Sequence, residues 1–103
     1  MALPPDILEY IQQHFSIHEE QVEVKNQLES LWALSLNVGP DQLARSLLVV
    51  CEGKVYKLKE IIQNGFYGDP RDVIMMAEAM LGHPGHYFMS AFDLIKKKNQ
   101  PDI

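Results

Sequence analysis

Cysteine occurs once in the 103 residues, at Cys51. A single thiol forbids an intrachain disulfide and excludes cysteine-rich zinc sites. Long apolar runs are missing too: no stretch approaches the ~20 residues that a membrane-spanning helix requires. The opening residues Met1 to Asp6 carry neither the basic start nor the apolar centre of a secretory leader, so a cytoplasmic location is expected. Glycine falls at six positions, 39, 53, 65, 68, 82 and 85, each readable as a helix stop or a turn. No glycine-rich phosphate loop is therefore present. Gly-x-Ser-x-Gly, Ser-x-x-Lys and His-Glu-x-x-His are also missing, and with them the familiar signatures of hydrolytic and zinc chemistry. The chain is expected to be non-enzymatic and to need no cofactor.

What remains has the make-up of an ordinary globular domain, 47% apolar and 22% charged. A chain of this length can enclose one hydrophobic core, so residues 1–103 are expected to form a single domain with residues 1–4 and 99–103 frayed. The net charge of −5 is unevenly spread. Residues 1–52 hold eight acids against Lys25 and Arg45, a net −6, whereas residues 53–103 hold six acids against seven bases. An acidic front half repels nucleic acid and anionic membrane and favours a basic protein partner.

The residue that organises this reading is Asp69. It is a good N-cap, Pro70 follows at the first helical position, and Gly82 closes the segment. Between them Val73, Ile74, Met75, Met76, Ala77, Ala79, Met80 and Leu81 are broken only by Arg71, Asp72 and Glu78. Apolar residues on nearly every face predict a central buried helix over residues 70–81.

Five further helices are expected around it. Ile7, Leu8, Ile11 and Phe15 recur at helical spacing after Pro4-Pro5, predicting a first helix to about Phe15. Ser16 and Glu19 have the spacing of a capping box, which starts the next element near residue 17. Val24, Leu28, Leu31 and Ser35 share one helical face there. The alternation at 21–25 also suits a strand, and Asn26 could break the helix, but a lone strand would have nothing to pair with. Gly39 and Pro40 stop one helix and start another, lined by Leu43, Leu47, Val50 and Cys51 and ended at Glu52-Gly53. A hairpin over 47–58 is the competing reading and lacks a third strand. Val55, Leu58, Ile61 and Ile62 line the following helix, ended at Asn64-Gly65. Tyr87, Phe88, Ala91, Phe92, Leu94 and Ile95 predict a final helix capped by three lysines. The expected fold is all-α: about six short helices in an orthogonal or globule-like bundle.

Function is less legible. The sequence favours a small protein-interaction or regulatory module, adaptor-like or immunity-like, whose acidic half meets a basic protein. Glu19, Glu20 and Glu23 are candidate contacts on that half. Phe66, Tyr67 and Met75 are candidates for an exposed apolar patch, because loops seldom place two large aromatics in water. Self-association into a dimer through the apolar 70–95 region is also expected. The alternative is a helix-turn-helix DNA binder over residues 40–63, with Lys54, Lys57 and Lys59 on the recognition helix. Its turn comes late, at Gly53, and the acidic chain opposes it, so nucleic acid is the weaker partner class. A third option is a metal site at His83 and His86, with Asp69, Asp72 or Asp93 completing it, although three converging ligands are needed and the spacing crosses Pro84-Gly85. Cys51 lies on an apolar stripe at a helix C-terminus beside Glu52, which disfavours a thiolate.

Overall fold

The computed structural model describes residues 3–82, and within them every regular element is helical. Helix α1 runs Pro5–His14, α2 His18–Glu29, α3 Pro40–Cys51, α4 Val55–Gln63 and α5 Pro70–Met80. Short 3-10 segments follow α2 (Ser30–Ala33) and α4 (Gly65–Gly68). The expected sixth helix, from Tyr87 to the three lysines, lies outside the described residues, as does the expected fraying at 99–103. No described helix is long and apolar enough to cross a membrane.

The local signals placed most boundaries. Proline opens α1, α3 and α5, where its missing N–H leaves no bond unmade. Helix α3 stops because Glu52 and Gly53 both turn left-handed, with φ of 54° and 75°. Residues 21–25 and 47–58 are helical throughout apart from that turn, so neither strand reading holds. Asn26 does not break α2, which continues to Glu29.

Two local expectations are corrected. The capping box at Ser16 and Glu19 does not form, because the N-cap is Ile17, whose backbone is extended and whose side chain has no acceptor. Ser16 stands one residue too early to reach the first-turn N–H groups. The α1–α2 corner is held instead by the Gln21 amide, which donates to the Phe15 carbonyl at 2.6 Å. Nor does Gly39 end a helix: the preceding segment stops at Ala33, and Gly39 is the extended N-cap of α3.

The core sits between α3 and its neighbours. Helix α5 packs on α3, α2 packs on α4 and α1, and α4 folds back on α3. From Leu43 to Cys51, α3 is buried at every position except Arg45, so this helix is the enclosed centre. That alters the reading of residues 70–81. The segment is a helix against the core, but it buries only one face: Val73, Ile74, Ala77 and Glu78. Met75, Met76 and Met80 are 44%, 39% and 42% exposed. The physical reason is position. Helix α5 is packed chiefly on α3 and on the turn before it, whereas α3 also meets α4 and the Ser30–Ala33 segment.

Candidate interaction face

The turn Gly65–Gly68 positions the first half of the site. All four residues have positive φ: 61° at Gly65, 58° at Phe66 and Tyr67, and 101° at Gly68. Glycine adopts this region freely, but phenylalanine and tyrosine do so at a cost of about 1–2 kcal/mol each. The two aromatics are thereby sent in opposite directions. Phe66 enters the core at 5% exposure, and Tyr67 stands half in water at 50%. The expected patch of Phe66, Tyr67 and Met75 therefore loses Phe66, whose burial anchors the strained turn.

Asp69 then caps α5. Its Oδ1 accepts the Arg71 backbone N–H at 2.9 Å, and its two oxygens together accept Arg71 Nε (3.2 Å to each) and Nη2 (2.8 Å). The Asp69 carboxyl is held below the usual aspartate range by the Arg71 guanidinium first, then by the Arg71 N–H, with a hydrogen bond from Asn37 adding to the effect. Beyond the cap lies an open cleft of about 530 Å³, lined by Asn37, Val38, Asp69, Arg71, Asp72, Ile74 and Met75. It joins the loop before α3 to the first two turns of α5. Asp72 is exposed, and its carboxylate, unlike that of Asp69, makes no hydrogen bond or ion pair among the described residues.

From the cleft, the outer side of α5 continues as Met75, Met76, Ala79 and Met80, all exposed. Apolar residues on nearly every face predict burial of Met76 and Met80 with the rest of the helix, yet both lie outside. Methionine is flexible and polarisable, so it serves equally as core filler and as an adaptable contact surface. Only packing separates the two uses.

The acidic candidates divide. Glu23 accepts from Lys59 Nζ at 3.2 Å and from the Gln27 amide, and Lys59 holds its carboxyl below the usual glutamate range. Glu19 and Glu20 carry no ion pair among the described residues; Glu19 is exposed and Glu20 half-buried on α2, near the exposed Ile17 and Val22. On the basic side, Lys57 is bound to Glu52 at 2.9 Å and Lys59 to Glu23, while Lys54 is exposed ahead of α4. The helix-turn-helix outline does exist, since only Glu52, Gly53 and Lys54 separate α3 from α4. Two of its three lysines, however, are already neutralised.

His83 and His86 lie outside the described residues, and no group of three metal-ligating side chains occurs among those described. Cys51 is fully buried, its thiol donating to the Leu48 carbonyl at 3.4 Å, and burial pushes its pKa up. Both features oppose nucleophilic use.

Comparison of the chain with protein-family models, with curated proteins and with solved structures gives no match. Sequence reasoning had named Met75 and Tyr67 but missed Asn37 and Val38. No local signal could have supplied them, because the loop reaches α5 only through the tertiary fold. Glu78 was also missed: it is 1% exposed, on the same face of α5 as Ile74. In the sequence it reads as an ordinary break in an apolar run.

Proposed function

We propose that this protein is a non-catalytic interaction module whose outer α5 face docks a basic protein partner. The observation that carries the reading is the row Met75, Met76 and Met80, exposed on a helix whose opposite side is packed in the core. Four-residue spacing aligns Met76 with Met80 and Met75 with Ala79, so the two rows lie side by side on the outer side of α5, and Met75 also borders the cleft. Contiguous apolar surface of this kind marks interaction sites more often than singly scattered residues do. The partner's sign follows from charge: residues 3–82 hold twelve acids against six bases. Glu19 and Glu20, which carry no ion pair among the described residues, supply further acid on α2.

The test is capture from a native lysate by tagged wild-type protein and by a variant with Met75, Met76 and Met80 all changed to serine. The expected result is a partner that is retained at low salt, weakened at high salt and lost from the variant. Equal capture by a folded variant, or indifference to salt, contradicts the reading. The DNA-binding alternative has less support, because Lys57 and Lys59 are engaged by Glu52 and Glu23.

A further inference from the structure

We infer that the cleft between the Asn37–Val38 loop and α5 is a receptor for one arginine side chain of the docking partner. The inference rests on the docking role proposed for α5 and specifies what the partner presents there.

The charge and donor inventory of the cleft decides among ligand classes. A helix N-terminus ordinarily attracts anions through its free N–H groups. Here those groups are consumed: Pro70 has none, the Arg71 N–H goes to Asp69 Oδ1, and the Asp72 N–H goes to the Asp69 carbonyl at 3.0 Å. The one guanidinium in the lining, that of Arg71, is held by both oxygens of Asp69. An anion would thus meet two carboxylates and one cation already neutralised. Among the described residues, what stays open is the carboxylate of Asp72, so the charge that the described lining leaves uncompensated is −1.

A bare metal ion is a poor occupant, since a single free carboxylate does not replace a hydration shell. The walls point to an organic cation instead. Ile74 is buried beneath the cleft, Val38 is half-buried, and Met75 is exposed beside it. These suit an aliphatic stem, and Asp72 with Asn37 suits a planar head carrying several N–H donors. Arginine has that anatomy: an apolar stem and a fork of N–H groups matched to a carboxylate. The ~530 Å³ volume is ample for such a side chain together with the peptide unit that bears it.

The experiment is an amide-resolved NMR titration of the full chain with acetyl-leucyl-arginine amide and with its citrulline counterpart, which keeps the shape and lacks the charge. Butyrate and butylguanidinium are run beside them. Expected are saturable shifts confined to residues 37, 38 and 69–75 for the two guanidinium probes. Binding should weaken about tenfold or more for citrulline and for the Asp72→Asn variant, as for loss of a charge-assisted hydrogen bond. Glu60→Gln, remote from the cleft, should leave it unchanged. Equal shifts with citrulline or butyrate, no loss in Asp72→Asn, or no saturable response at these residues overturns the inference. Silence here together with methionine-dependent capture sinks the arginine receptor and leaves the docking module standing. Guanidinium binding without such capture does the reverse.

Discussion

Arg45 on α3 grips Asp6 on α1 through two parallel bonds, Nε to Oδ2 at 2.9 Å and Nη2 to Oδ1 at 3.1 Å. Its remaining amine reaches Asp41, one turn earlier on α3, at 2.9 Å. The clamp joins residues 39 apart in the chain and ties the first helix to the enclosed one. Its geometry is fork-to-fork, and the Arg45 side chain is only 15% exposed, so it should outperform an ordinary surface pair. Replacing Arg45 with alanine is expected to lower unfolding free energy by about 1 kcal/mol, measured by urea denaturation.

The same clamp predicts a pH dependence. Hydrogen bonding from Arg45, the largest cause, holds the Asp6 carboxyl below the ordinary aspartate pKa in the folded state. The unfolded chain therefore binds the proton more readily than the folded one. The stabilisation is complete above the ordinary aspartate pKa and is lost as pH falls through the depressed folded value. Asp6→Asn should be less stable than wild type near neutrality, and the gap should close in acid. A constant gap across that window would show that the linkage is absent.

Substitutions on the two sides of the α3–α5 pair should separate sharply. Leu47 is fully buried on α3, and truncating it to alanine leaves a cavity expected to cost about 2–5 kcal/mol. Met76→Ala and Met80→Ala remove exposed side chains and should each change stability by less than about 1 kcal/mol. Comparable losses on both sides, by thermal or urea melts, would mean that the methionine face is packed rather than open.

The left-handed turn makes a prediction about backbone alone. Gly65 has φ of +61°, and a Cβ there would meet nothing within 4 Å. Gly65→Ala should therefore destabilise by about 1 kcal/mol through conformation without any clash. Tyr67→Gly, at an exposed left-handed position, should relieve strain and leave stability equal or higher. Phe66→Ala should cost about 3–5 kcal/mol, since it empties a core position.

Cys51 supplies a probe of opening. Full burial together with a pKa raised by desolvation predicts negligible reaction with a thiol reagent in the native state. Labelling should accelerate in step with unfolding as urea is added. Rapid native-state labelling would place the thiol outside the core.

Much of the architecture was written locally in the chain. Proline at the first position of three helices, the left-handed stop after Cys51 and the three- and four-residue spacing of Ile7, Ile11, Leu58 and Ile61 depend on neighbours within a few residues, so sequence alone located them. Which side of a helix meets the core is a different kind of fact. Residues 70–81 are apolar on nearly all faces, and no periodicity tells Ala77, which is buried, from Met76, which is not. That choice was made by α3 lying on one side of α5, just as the opposed directions of Phe66 and Tyr67 were made by four successive left-handed residues. The cleft is the clearest case. Asn37 and Val38 stand more than thirty residues before Asp69, and their meeting depends on the whole packing of the helices between them rather than on any local preference.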